Sequence, residues 1–256
     1  MLQAHSLLWH YLWLAPNFLF VLLAVLLRRT GLSRSFPVFF LYLIVVALEQ
    51  FTLYILDIAP SVSAEAYWTA FWAGLLIEAL VKFALIGEVF SHVFGSYQSV
   101  AGLGRLLVRG VGAFLVVIAA IAAAHSRLDS GVKILSGAHI LEQTTYLVEC
   151  GVLLFVFALA AYFTLSWGRT ELAIASGLGL SASLHLAAWA VLTNWGLSAH
   201  GRDLIDFANM AVSHVCVLIW FYYLLVPQKK PTTSAVSLPE NNLAIWNREL
   251  ERLLQQ

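Results

Sequence analysis

The sequence predicts an all-α, polytopic membrane protein: a bundle of seven transmembrane helices with its N-terminus outside and its C-terminus in the cytoplasm. Of the 256 residues, 61% are hydrophobic and only 11% are charged, whereas soluble domains are usually about a quarter charged. The apolar residues form seven runs, each long enough for the roughly 20 helical residues that cross a bilayer core. Basic residues collect in alternate loops, and this asymmetry sets the orientation.

Seven helical spans follow one another with short loops between them. The first stops at the basic pair Arg28-Arg29, and the second begins near Pro37, where proline suits a first helical turn. The third carries most of the interior charge, and the fourth is almost entirely alanine, valine, isoleucine and leucine. The predicted spans cover approximately residues 7–27, 36–56, 66–94, 106–124, 139–165, 171–193 and 204–226.

The positions of lysine and arginine predict which side faces the cytoplasm. One set of loops holds eight of them: Arg28, Arg29, Arg34, Arg105, Arg109, Arg169, Lys229 and Lys230. The opposite set holds three: Arg127, Lys133 and Arg202. Because cytoplasmic loops carry the excess of positive charge, the first set is expected inside. An odd number of spans then leaves the N-terminus outside.

The chain divides into a transmembrane domain, residues 1–228, and a cytoplasmic tail, residues 229–256. Ser237 and Glu240 have the spacing of a capping box. Apolar residues then recur at helical spacing, which predicts a short amphipathic helix over about residues 238–255: Leu243, Trp246, Leu250 and Leu253. Two roles fit it, namely lying on the lipid bilayer surface or against the helix bundle, or docking of a membrane or cytoplasmic protein partner. The formal net charge of zero favours no nucleic-acid partner.

Charged residues inside the third span are the clearest functional signal. Glu78, Lys82, Glu88 and His92 fall within about one third of the helix circumference. Glu78 and Lys82 form an i, i+4 pair near mid-membrane, and Glu88 and His92 form a second such pair near the cytoplasmic end. Ionisable groups in a bilayer are costly and face the bundle interior or water. This pattern fits a structural ion pair that fixes helix register or a site for ligand or proton binding.

Other spans carry polar faces at a similar depth, so we expect a polar cavity that opens to the outside. It would lie between the second, third, fifth, sixth and seventh spans. Carboxylates outnumber cations in it, which favours a cationic or hydrogen-bonding ligand, or protons. The candidate ligand-binding residues are Glu49, Glu78, Lys82, Glu142, Tyr146, Glu149, His185, Asp206, Asn209 and Ser213.

These features favour a receptor-like, sensory or accessory membrane protein that signals through its tail. The alternative is a proton-coupled transporter or channel that uses the intramembrane carboxylates. No catalytic residues and no metal ligands are predicted, since His214 has no second histidine one turn away. A Schiff-base lysine is missing from the last span, which excludes a retinal protein. No cofactor is expected, and a haem held by His185 and His214 is the alternative.

Two stretches carry a family resemblance. Residues 28–42, from Arg28-Arg29 to the Phe36-Pro37-Val-Phe-Phe-Leu-Tyr segment, look like the start of the second helix in a group of uncharacterised bacterial seven-helix membrane proteins. Residues 87–107, from Gly87-Glu88 to Gly104-Arg105, resemble the end of the third helix in that group. The resemblance implies a bacterial cytoplasmic membrane location and no particular activity. The layout is also similar to the seven-helix sensory regions of some histidine kinases, although no kinase domain follows.

Overall fold

The computed structural model describes residues 6–95, 110, 117, 130–194, 199–225 and 240–254. Within these ranges it describes the backbone alone at 130–141, 189, 192–194, 199–203, 206, 240–244 and 254. The described chain is helical and has no strands. Its helices are α1 (Leu7–Thr30), α2 (Leu32–Ser35), α3 (Pro37–Ile58), α4 (Ala64–Val93), α5 (Ser130–Tyr162), α6 (Arg169–Asn194), α7 (Ala199–Leu225) and α8 (Glu240–Leu254).

Local chemistry explains where the first helices begin and end. The Ser6 hydroxyl accepts a hydrogen bond from Trp9 N at 3.3 Å, and the Ser63 hydroxyl accepts one from Ala66 N at 3.2 Å, so each serine caps a helix N-terminus. Helix α1 ends at Gly31, whose φ of 79° lies in the left-handed region that glycine adopts without strain. Proline opens α3, as the sequence predicts.

Six helices in the described chain are long and apolar enough to cross a membrane, which indicates a multi-pass membrane protein. They are α1, α3, α4, the part of α5 from Glu142 to Tyr162, the part of α6 from Arg169 to Ala188, and the part of α7 from Phe207 to Leu225. The predicted fourth span, residues 106–124, lies outside the described residues apart from 110 and 117. The short helix α2 was not predicted, because four residues are too few to show a helical period.

Packing brings the six long helices around one apolar core. The largest fully buried side chains come from α1, α3, α4, α6 and α7 or lie beside them: Trp220, Phe39, Phe83, Phe94, Leu23, Leu27, Leu43, Leu85, Ile86 and Ile174. Helix α8 meets this core at one end of the bundle. Its Leu250 packs against the core, and the Trp246 ring lies 6.5 Å edge-on from Phe163.

Candidate functional site: a polar cavity in one half of the bundle

A cavity of ≈ 210 Å³ lies between α1, α3, α4, α5, α6 and α7. Its lining reaches from the middle of the bundle toward the end where α1 begins, since α1 contributes residues 12–20 and α4 contributes residues 71–82. The polar side chains of the lining are Asn17, Glu49, Gln50, Glu78, Lys82, Glu142, Ser181, His185, Asn209 and Ser213. Its aromatic side chains are Trp13, Phe20, Tyr42, Phe71, Tyr146 and Trp220.

A lysine held between two carboxylates is the electrostatic centre of the site. Lys82 Nζ lies 3.0 Å from Glu78 Oε1, so the predicted i, i+4 ion pair is present. The same Nζ lies 3.6 Å from Glu149 Oε2 on α5. The Lys82 side chain is only 5% exposed and that of Glu149 is 0% exposed. Because buried charges are costly unless they are paired, this arrangement ties α4 to α5.

Two rings continue the network from Lys82 toward α6. The ammonium lies 4.9 Å from the centroid of the Tyr146 ring, within cation–π range. Tyr146 stacks on the ring of His185, with centroids 4.5 Å apart. His185 Nδ1 lies 2.8 Å from the Ser181 carbonyl oxygen. Because a carbonyl only accepts hydrogen bonds, Nδ1 carries a proton and donates it, which leaves Nε2 as an acceptor in the neutral ring.

Glu49 on α3 occupies the wall of the cavity next to α4. Its carboxylate lies against Gly74, where a Cβ atom would collide with it. Glu49 Oε2 is buried and has no hydrogen-bond partner. The charged groups that act on this carboxylate are Glu78 and Lys82. A glycine at position 74 thus makes room for an acidic group with one unsatisfied oxygen.

Helix α1 forms a wall that the sequence did not predict. Trp13 Nε1 donates to Gln50 Oε1 at 3.1 Å, and this bond links α1 to α3. Asn17 is 3% exposed and donates from Nδ2 to the Trp13 carbonyl at 2.6 Å. Pro16, between them, has no N–H for the helix ladder. The sequence offered a signal for this wall, because polar side chains and a proline lie within one apolar span. It was missed because that predicted span contains no charged residue.

A buried tryptophan packs beneath the cavity, where α6 and α7 approach each other closely. Trp220 Nε1 donates to the Ala173 carbonyl at 3.0 Å. The indole lies against Gly177, where a Cβ atom would collide with Nε1. The Cys216 thiol donates to the Gly177 carbonyl at 3.3 Å. This glycine is therefore a packing requirement of the α6–α7 contact.

Beyond Glu149, toward the other end of the bundle, the interior becomes apolar. Both Glu149 oxygens lack hydrogen-bond partners, and Lys82 is their charged neighbour. Among the described residues, the buried polar side chains are Asn17, Lys82, Thr145, Glu149 and Thr170. Buried apolar residues fill the length between Glu149 and Thr170: Leu85, Ile86, Val89, Val152, Leu153, Val156, Ala160, Ala173 and Ile174. The cavity therefore stops near mid-bundle.

At that other end, Glu88 and His92 have partners different from the expected i, i+4 pair. The Glu88 carboxylate accepts from Val38 N at 2.9 Å and from Phe39 N at 3.0 Å, so it caps the N-terminus of α3. His92 stacks on Phe36, and its Nδ1 lies 3.7 Å from Glu171 Oε1 on α6. These contacts fasten α4 to α3 and to α6, which sequence spacing alone could not show.

Eight of the ten predicted ligand-binding residues line the cavity: Glu49, Glu78, Lys82, Glu142, Tyr146, His185, Asn209 and Ser213. Glu149 lies just below them, on Lys82. The Asp206 side chain lies outside the described residues. His214, the second ligand in the haem alternative, stacks on Tyr11 and does not line the cavity. In the described chain, no three His, Cys, Asp or Glu residues are grouped so that they could hold a metal ion.

No protein-family model, curated protein or solved structure matches the chain. The resemblance to bacterial seven-helix membrane proteins therefore stays a prediction from the sequence.

Proposed function

We propose that this chain is a receptor-like or accessory membrane protein, which binds a small polar ligand or a proton in its cavity and signals through its C-terminal tail. The observation that carries the proposal is the depth at which the polar interior ends. A cavity that stops at the Lys82–Glu149 pair holds a ligand, but the buried apolar side chains beyond it leave no polar path through the described part of the bundle. A membrane protein that binds a ligand without carrying it across the bilayer has the property of a sensor.

We propose further that the chain crosses a bacterial cytoplasmic membrane seven times, with the N-terminus and the cavity mouth outside. Support comes from the directions of α4 and α5. Lys82 contacts Glu149 near the middle of both helices, and His92, at the end of α4, contacts Glu171, which follows shortly after α5. The two helices therefore run the same way, which is the direction that seven spans require of the third and the fifth.

Reporter fusions test this topology. Because basic residues favour the cytoplasmic side, alkaline phosphatase fused after Ser130 should be active, and the same enzyme fused after Gln256 should be inactive. Green fluorescent protein, which fluoresces only in the cytoplasm, provides the reciprocal control at both positions. An inactive phosphatase after Ser130 would move the cavity mouth to the cytoplasmic side.

A physical route joins the cavity to the tail. Helix α5 carries Tyr146 and Glu149 beside Lys82 and ends next to Phe163. Phe163 contacts Trp246 of α8, and Leu250 of α8 packs against the same core. A ligand that draws Tyr146 or Lys82 away from its present contacts would therefore bias the position of α5, and with it α8. This coupling requires two arrangements of the helix, each favoured by a different state of the cavity.

The alternative, a proton-coupled transporter, draws on the same carboxylates. It requires the apolar layer beyond Glu149 to open during each cycle, so that the group can exchange protons with both sides. The two functions differ in what they predict for flux and for the tail. A transporter moves protons or solute and tolerates loss of α8, whereas a receptor moves α8 and carries no flux.

A reagent attached covalently inside the cavity distinguishes the receptor from the transporter without a known ligand. The change is Ser213→Cys in a chain whose native cysteines are replaced, and the probe is a small methanethiosulfonate reagent. Hydrogen exchange of residues 240–254 is then measured by mass spectrometry. We expect modification to change exchange in α8, whereas the same reaction at Ser61→Cys, an exposed position between α3 and α4, should leave it unchanged.

Flux is measured on the unmodified chain in proteoliposomes with a trapped pH indicator. The proposal predicts proton flux no greater than that of empty liposomes under an imposed gradient. Flux that Glu149→Gln abolishes would replace the receptor proposal with the transporter. Unchanged α8 exchange after complete modification of the Ser213→Cys variant would remove the signalling step.

A further inference from the structure

The wall of the cavity around Glu49 has the features of a cation site. Glu49 Oε2 is buried without a hydrogen-bond partner, and its carboxylate is seated against Gly74. An unsatisfied buried carboxylate oxygen is costly, and a donor or a positive charge placed beside it removes that cost. Lys82 does not serve this purpose fully, because its ammonium lies at 3.0 Å from Glu78 and 3.6 Å from Glu149.

Acidic groups outnumber the ammonium of Lys82 in this part of the cavity, and this excess favours a cation as the guest. On the Glu49 side of the cavity, the carboxyl groups of Glu49 and Glu78 lie beside one ammonium, that of Lys82. A third carboxyl group, that of Glu149, shares the same ammonium from below. A guest with one positive charge would bring the cavity closer to neutrality. An anionic guest would add to the imbalance.

Aromatic rings supply the second half of a cation site. Trp13 and Phe71 line the cavity on α1 and α4, the helices on either side of Glu49. The Trp13 ring is held by its bond to Gln50 and by an edge-on contact with Trp9 at 4.6 Å. The face of a tryptophan ring attracts ammonium groups most strongly among the aromatic residues. The protein already uses this chemistry internally, where Lys82 lies over Tyr146.

The size of the cavity and the arrangement of its ligands limit the kind of cation. A volume of ≈ 210 Å³ is below the roughly 300–1,000 Å³ of pockets for drug-sized molecules. Among the described residues no group of three acidic or histidine side chains is placed to hold a metal ion. Aromatic walls favour alkyl groups over the water shell of an inorganic ion.

We propose that the cavity binds a small organic ammonium ion, with its charged nitrogen at Glu49 and Glu78 and its alkyl groups against Trp13 and Phe71. This inference rests on the proposed function, because it assumes that the cavity is a ligand site. It adds the chemical class of the ligand and the residues that recognise its charge.

Choline and its neutral carbon analogue, in which a tert-butyl group replaces the trimethylammonium group, test the proposal. The two molecules share size and shape and differ in charge. Binding to the purified full-length chain in lipid nanodiscs is measured by isothermal titration calorimetry, with tetramethylammonium as a third probe. We expect saturable binding of choline and tetramethylammonium, and affinity for the neutral analogue at least about tenfold weaker.

Matched variants locate the charge that is recognised. Glu49→Gln keeps the size of the side chain and should weaken choline binding about tenfold or more, while the neutral analogue binds as before. Glu65→Gln removes an exposed carboxylate at the start of α4 and should leave choline affinity unchanged. Circular dichroism shows whether the Glu49→Gln chain is folded. If it is not, the comparison of choline with its neutral analogue on the unaltered chain decides.

The proposal is overturned if neither ammonium ion binds, or if the neutral analogue binds as tightly as choline. These outcomes are distinct from failure of the proposed function. Equal binding of both molecules, blocked by modification of Ser213→Cys, would keep the cavity as a ligand site without charge recognition. A change in α8 exchange after that modification, with no binding of either ammonium ion, would keep the receptor and remove this ligand class.

Discussion

Replacing Lys82 with methionine removes the cation that lies between the carboxylates of Glu78 and Glu149. At an effective dielectric constant near 20, a pair of unit charges 3.0 Å or 3.6 Å apart attracts by about 5 kcal/mol. Desolvation of the three groups offsets much of this attraction, and loss of one partner of a buried ion pair typically costs ~3–5 kcal/mol. We expect Lys82→Met to lower the free energy of unfolding by that amount. Glu78→Gln and Glu149→Gln should each cost less, because Lys82 keeps one partner in either variant.

The energetic coupling between two substitutions tests the ion pairs of Lys82 more directly than either substitution alone. Adding Glu149→Gln to Lys82→Met removes a carboxylate that has lost its counter-charge, so the double variant should recover about 0.5–3 kcal/mol relative to Lys82→Met alone. Unfolding is followed by circular dichroism during titration with sodium dodecyl sulfate in mixed micelles. Arg252→Met, at an exposed ion pair on α8, is the control and should cost less than about 1 kcal/mol. Additive losses of unfolding free energy would refute the interpretation that Glu149 depends on Lys82 as its counter-charge.

Three further substitutions test separate contacts. Gly74→Ala places a Cβ atom against the Glu49 carboxylate and should cost about 1–3 kcal/mol; thermal unfolding measures it, with an unchanged melting temperature as the contrary result. Gly177→Ala should cost a similar amount and shift the fluorescence of Trp220, since the indole must leave its carbonyl partner; an unaltered emission spectrum would argue against the contact. Glu88→Gln removes charge from the cap of α3 and should cost about 0.3–1 kcal/mol, measured in the same way, and a gain in stability would contradict it.

The parts of the site that the sequence could predict are those set by helical geometry. The spacing of Glu78 and Lys82 places both on one helix face whatever the surrounding fold, and their ion pair is present. Because polar groups are costly in a bilayer, the polar faces of α3, α5, α6 and α7 were predicted to turn inward. Glu49, Tyr146 and His185 do line the cavity.

The parts that the sequence could not predict depend on how helices rotate and approach one another. Trp13 and Asn17 look like ordinary members of an apolar span, and only the packing of α1 against α3 brings them to the cavity. Glu88 has a histidine one turn away, yet its oxygens reach the free N–H groups at the start of α3. In both cases the surroundings of a side chain depend on how the helices pack against one another, and a single sequence does not contain that information.

The accessibility of two engineered thiols tests most directly whether the polar interior is a cavity that ends near mid-bundle. One is Ser213→Cys in the cavity lining, and the other is Ala160→Cys in the buried apolar region beyond Glu149, each in a chain without Cys150 and Cys216. A membrane-impermeant thiol reagent is applied to each side of oriented membrane vesicles. We expect Ser213→Cys to react from outside and Ala160→Cys to react from neither side. Reaction at Ala160→Cys would show a continuous aqueous path, and an unreactive Ser213→Cys would show that the cavity does not open to the outside.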